Sequence, residues 1–152
     1  PEDMTGKKVC VIGGGAVGLD VVEFFAPRGA EVSIVEMLPA IGNGIDPISK
    51  VGTFALMDKY HVRQMPNTAL KEVRDDSFLV ETPEGKETLN FDYGFVCLGM
   101  KANTPVLAEL QNAFGDEIEV INIGDSVRAR RIIEGTDEGR NILNTLEKHG
   151  YL

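Results

Sequence analysis

Near the start of the chain, V-C-V-I-G-G-G-A-V-G-L-D (Val9 to Asp20) places Gly13, Gly15 and Gly18 in the spacing G-x-G-x-x-G. Glycines so spaced can bind phosphate without any reactive side chain. The first permits a tight turn, the second lets the backbone approach a pyrophosphate, and the third lets a helix pack closely on a strand. A helix that opens at the turn aims its unsatisfied N–H groups and the positive end of its dipole at the phosphates. Ala16 and Val17, between the last two glycines, belong to the same candidate site. The spacing alone is a weak signal, because glycine turns also occur without a ligand. It gains weight only after a strand and before a helix.

Glu36 carries a second, independent signal. It ends the next apolar run, roughly 20 residues after Gly15, where an acidic side chain accepts hydrogen bonds from an adenosine ribose diol. Its carboxylate would repel a 2′-phosphate, and the following Met37 and Leu38 supply no cation to hold one. NADH is therefore favoured over NADPH. The plainer alternative is a solvated acid at a strand end. Gly42-Asn43-Gly44 is also glycine-rich, but it follows no strand and reads as loop.

The elements around these residues supply the required context. Lys8 to Ile12 is apolar enough for a parallel strand covered on both faces. Val17, Val21, Val22 and Phe25 then follow helical spacing from about Ala16 to Ala26, and Pro27 and Gly29 close that helix. Glu31 to Glu36 is a second strand, so Lys8 to Glu36 has the size of a βαβ unit. Asp46 is placed to cap a helix running to about Tyr60, and Val62 to Met65 is a short third strand. Ala69–Arg74, Phe78–Thr82 and Glu87–Phe91, separated by turn residues, read as an antiparallel three-stranded meander. Phe95 to Leu98 is again an apolar strand, Thr104 to Asn112 a short helix, and Glu119 to Ile123 another buried strand. From about Ala129 onward Ile132, Ile133, Ile142, Leu143 and Leu146 predict one final helix, weakened by Gly135 and Gly139. The expected class is α/β. It is a Rossmann-like three-layer fold, a parallel sheet with helices on one face and the meander crossover on the other.

Composition narrows the function classes. The chain of 152 residues carries 24 acidic and 15 basic side chains, a formal net charge of -9, and no basic stripe to neutralise nucleic-acid phosphates. No apolar run approaches the ~18 residues of a membrane span, and the N-terminus lacks a signal peptide's apolar segment. Cys10 and Cys97 lie in apolar strands and read as small core residues, with no C-x-x-C pair. A reducing cytoplasm fits these features. His61 and His149 read as surface residues, and no catalytic triad or metal constellation is visible.

Four strings in order, V-I-G-G-G-A-V-G-L-D, V-S-I-V-E-M-L-P, C-L-G-M-K-A-N-T and V-I-N-I-G-D, resemble the NAD(P)-binding domain of two-dinucleotide, disulfide-reductase-like flavoproteins. Within them, V-E-F-F-A-P-R-G-A-E-V-S-I-V-E-M-L-P-A-I-G and R-R-I-I-E-G are most similar to the C-terminal part of NADH:flavin oxidoreductases of the 2,4-dienoyl-CoA reductase and 2-enoate reductase type. The resemblance implies that Gly13 to Gly18 hold the NAD(P)H pyrophosphate and that Glu36 holds the adenosine ribose. Gly99 and Met100 would lie beside the cofactor, and Gly124 and Asp125 would meet FAD. Asp20 stands where Glu is common, and Gly99-Met100-Lys101-Ala102-Asn103-Thr104 replaces the usual G-R-x-P-N-T, losing both Arg and Pro.

Only one credible G-x-G-x-x-G occurs, and the chain starts without Met, so it is expected to be an excised domain. Residues 1–123 would bind NADH, and 124–152 would belong to the FAD-binding half. The order of the motifs favours NADH over FAD at the glycine turn. The expected function is to orient NADH for hydride transfer to FAD, the parent protein adding FMN and an iron–sulfur cluster. Expected partners are NADH and the parent's FAD-binding and reductase domains; the apolar stripe of the last helix is expected either to drive self-association or to leave that helix poorly ordered. A non-catalytic domain that senses NAD(H) is the second reading.

Overall fold

In the computed structural model, which describes residues 3–115 and 117–150, the β-branched run Lys-Val-Cys-Val-Ile forms β1 (Lys8–Ile12). The glycine turn follows, and α1 (Ala16–Phe25) opens from it, burying Leu19 and Val22 against the sheet. A short 3-10 turn with Pro27 ends the helix, and Gly29 at φ +90 reverses the chain where a side chain would be strained. Strand β2 (Glu31–Val35) returns parallel to β1, with Val35 opposite Ile12.

Helix α2 (Pro47–Lys59) has the N-terminus that the sequence predicts. One oxygen of Asp46 accepts the N–H groups of Ile48 and Ser49, and Pro47 occupies the first turn. Such a cap satisfies two of the N–H groups that a helix start leaves without an intrahelical partner. Strand β3 (Arg63–Met65) then pairs parallel with β2. The chain crosses back through β4 (Ala69–Val73), β5 (Ser77–Thr82) and β6 (Gly85–Asn90), the antiparallel meander. It rejoins the main sheet as β7 (Tyr93–Val96), parallel to β1 on the side away from β2.

The main sheet has the order β3-β2-β1-β7. Alternation along its strands feeds two cores. On one face Val9, Val11, Val32 and Ile34 pack with Leu19, Val22 and Met57 of the helices. On the other, Cys10, Ile12, Val35 and Met65 pack with Phe78, Val80 and Leu89 of the meander. The three-layer α/β arrangement expected from the sequence is the one observed.

The chain divides into two units, one ending at Gly99 and the other starting at Met100. The second holds α3 (Thr104–Phe114), a 3-10 turn at Gly124–Ser126, α4 (Ile132–Arg140) and α5 (Ile142–Lys148). Two expectations are corrected here. Residues 119–123 carry a strand's apolar pattern, but among the described residues they join neither sheet, and a strand's polar backbone needs a neighbour to pair with. The single final helix is two helices, interrupted at Asn141. The Asn141 side-chain amide donates to the Asp137 carbonyl, the local competition with the backbone that makes Asn a poor interior helix residue. Among the described residues no helix is long and apolar enough to cross a membrane.

Candidate functional site

The glycine turn lies at the C-terminal ends of β1 and β7. The chain order reverses there: the strands run outward through β2 and β3, then resume across β1 at β7. In open α/β sheets this reversal leaves a crevice that takes ligands. The Cys97 N–H donates to the Ile12 carbonyl at 2.7 Å, extending the β1–β7 pairing up to the turn.

Each glycine of the motif has a separate physical reason. Gly13 has φ +108, and a Cβ on it would collide with the Cys97 carbonyl. A Cβ on Gly18 would collide with the Gly13 carbonyl, so α1 approaches the turn only because residue 18 has no side chain. Gly15 differs: a Cβ there meets nothing within 4 Å. It is the N-cap of α1, without a capping side chain and without an acid in the first helical turn. The first turn of the helix is therefore open for an external anion. Ala16, Val17 and Asp20 are exposed around it.

Glu36 leaves the end of β2 and turns back to this loop. Its Oε2 accepts the Gly14 N–H at 2.7 Å, and its Oε1 accepts the Leu38 N–H at 2.9 Å. A carboxylate offers about four acceptor positions. Two backbone donors fix its orientation and leave one lone pair on each oxygen for a diol. Hydrogen bonds to a charged group contribute about 1.5–3 kcal/mol each, so this is a built contact between β2 and the glycine turn. Met37 and Leu38, the next side chains, are exposed and apolar.

Sequence reasoning missed the third support of the turn. The loop set aside because it follows no strand places the Gly42 N–H 2.7 Å from the Gly14 carbonyl. Ile41 is buried, and its Cγ2 lies 3.1 Å from where a Cβ on Gly14 would be. Gly14 itself was passed over because it fills a variable position of the motif. Nothing in the spacing marks these contacts.

Glycine turn, Glu36 and Met37 are thus brought together within the first unit. Gly99, at φ +83 and exposed, ends that unit two residues beyond Cys97. Met100, Gly124 and Asp125 belong to the second. There Gly124 has φ +68. Its N–H donates to Glu138 Oε2 at 2.6 Å, and its carbonyl accepts from Arg130 Nη2. The Arg130 guanidinium also pairs with Glu138 at 2.6 Å. Asp125 Oδ1 accepts the Arg130 N–H, which ties its carboxylate to the following loop. The Gly124 N–H and Arg130 hold the Glu138 carboxyl below its usual range.

Among the described residues no group of His, Cys, Asp and Glu side chains is placed to hold a metal ion. Cys10 is buried, and burial pushes its thiol up to about 12. Cys97 is only half-buried, less than the core position expected of it. His61 is exposed, and His149, also exposed, lies 3.0 Å from Glu119 Oε1. A cavity of ≈ 260 Å³ lined by Lys8, Glu31, Arg63 and Glu87 sits at the opposite ends of the strands from the glycine turn. Arg63 and Glu87 in its lining are already paired with each other at 2.7 Å.

Comparison with known proteins identifies the family and the fold. The family described as pyridine nucleotide-disulphide oxidoreductase matches residues 1–128. Bilirubin reductase of Mediterraneibacter gnavus is 31% identical over 146 residues, 95% of this chain and 22% of that protein. NADH oxidase of Thermoanaerobacter brockii is 30% identical over 134 residues, 88% of this chain and 20% of that protein. Among solved structures, a 2-naphthoyl-CoA reductase complex superposes with TM-score 0.68 and 30% identity, covering 89% of this chain and 20% of its own. The chain spans about a fifth of the length of these relatives.

Proposed function

The chain belongs to the pyridine nucleotide-disulphide oxidoreductase family, and we propose that it is the nicotinamide-dinucleotide-binding domain of a flavin-dependent oxidoreductase, orienting NADH for hydride transfer to FAD. The observation that carries this reading is the Glu36 carboxylate, clamped by Gly14 and Leu38 beside an open helix N-terminus. The turn offers N–H groups to a pyrophosphate, and Glu36 offers its remaining lone pairs to the adenosine ribose. Exposed, uncharged Met37 and Leu38 give a 2′-phosphate no counter-charge. Bound NADH supplies the hydride; the chain's own residues supply binding and orientation, and none is needed as a general acid or base.

Gly124 and Asp125 we assign to the FAD-binding half, with residues 124–152. FMN and an iron–sulfur cluster belong to the parent protein in this reading. The resemblance to bilirubin reductase and NADH oxidase supports a reductase as the parent. The test is an NMR titration of the isotopically labelled chain with NADH. Amide shifts should concentrate at Gly13 to Gly18 and at Glu36 to Leu38. Shifts confined to the cavity lined by Lys8, Glu31, Arg63 and Glu87 would refute the assignment.

A further inference from the structure

We propose that Gly42 is a positioning residue for the phosphate-binding turn, acting through the Gly14–Gly15 peptide; this rests on the dinucleotide reading above. Both polar groups of Gly14 are occupied from outside the turn. Its N–H is held by Glu36 at 2.7 Å, and its carbonyl by the Gly42 N–H at 2.7 Å. A peptide unit is planar and trans, so the N–H of one residue points opposite to the carbonyl before it. Holding the Gly14 carbonyl toward Gly42 therefore turns the Gly15 N–H away from Gly42. Gly15 is the motif residue whose surroundings are open, with nothing within 4 Å of an added Cβ. The Gly42 N–H thus sets the direction of the donor best placed to meet a pyrophosphate.

Gly42 can play this part only as glycine. Its φ is +76, and a Cβ would press on Lys50 Cε at 3.3 Å and on Phe54 Cε2 at 3.4 Å. Side chains of α2 close in from behind, so a residue added at 42 must displace Lys50 and Phe54 or shift the loop that bonds Gly14. Two residues on, Gly44 supplies a control. Its φ is +83, an equal backbone demand, but a Cβ there meets nothing within 4 Å. Alanine at either position bears the same left-handed strain, and only position 42 is bonded to Gly14.

The experiment compares Gly42→Ala with Gly44→Ala in the whole chain. The first readout is the chemical shift and hydrogen exchange of the Gly15 amide without ligand; the second is NADH affinity by calorimetry. Gly42→Ala should move the Gly15 amide and weaken NADH roughly tenfold, and Gly44→Ala should do neither. Should Gly42→Ala fail to fold, Gly42→Asn takes its place, since Asn tolerates left-handed backbone best among side-chain-bearing residues; the same amide movement is expected, with weaker loss of affinity. An unmoved Gly15 amide in the position-42 variant, or equal losses from the variants at 42 and 44, overturns the proposal. Wild-type protein that binds no NADH would overturn the proposed function instead, and the ligand-free Gly15 amide would still decide the role of Gly42.

Discussion

The two units of this chain put their apolar side chains to opposite uses. The first buries Val9, Val11, Ile12, Ile34, Val35, Phe78 and Val80 almost completely on the two faces of one sheet. The second has no buried residue in α3, α4 or α5, and leaves Ile132, Ile133 and Leu143 largely exposed. What orders its Gly124 turn is polar: Glu138 on the Gly124 N–H, Arg130 on the carbonyl, and the ion pair between them. The lesson is that a glycine turn's precision depends on what stands behind it. Gly13 to Gly18 rest on a packed sheet, whereas Gly124 rests on a half-buried ion pair.

The largest effect should come from the first core. Phe78→Ala removes a ring that is 1% exposed and in contact with Phe91, and should cost about 3–5 kcal/mol in denaturant unfolding. Gly15→Val separates site from scaffold within the same unit. The added side chain enters open space, so the melting temperature should hold while NADH affinity falls roughly 100-fold, the loss of one or two charge-assisted hydrogen bonds. Unchanged affinity would remove the turn from the site. Glu36→Gln replaces one carboxylate oxygen by an amide donor facing the Gly14 or Leu38 N–H. It should weaken NADH about tenfold and destabilise the fold by about 1–3 kcal/mol.

Effects in the second unit should be small. Glu138 has its folded pKa below the ordinary 4.5, held there by the Gly124 N–H and Arg130. Its contribution is therefore present above that ordinary value and is lost as pH falls through the lowered folded value. Between pH 5 and 8 the Gly124 amide resonance should stay fixed, and it should move only on further acidification; movement near neutrality would contradict the Glu138 contact. Leu143→Ala should change stability by less than about 0.5 kcal/mol, and a loss comparable to that of Phe78→Ala would erase the contrast between the units.

The legible part of the fold was the part written in short-range chemistry. Alternating and continuous apolar runs marked β1, β2 and the meander, Asp46-Pro47 marked the start of α2, and Pro27 with Gly29 marked the end of α1. The glycine spacing and Glu36 were readable because the proposed phosphate and ribose recognition would impose residue types at fixed separations. Gly42 was not, because its role is a backbone N–H whose partner is 28 residues away, and no side chain advertises it. The break at Asn141 was hidden by apolar periodicity that continues on both sides of it. Residues 119–123 mislead for a related reason: an apolar pattern states a preference for strand, while pairing depends on a neighbour.

The most direct test of the central account is calorimetric titration of the wild-type chain with NADH and with NADPH under identical conditions. The clamped Glu36 carboxylate, with Met37 and Leu38 beside it, predicts that NADH binds at least tenfold more tightly, about 1.4 kcal/mol. NADPH binding as tightly as NADH, or more tightly, would contradict the placement of the adenosine ribose at Glu36.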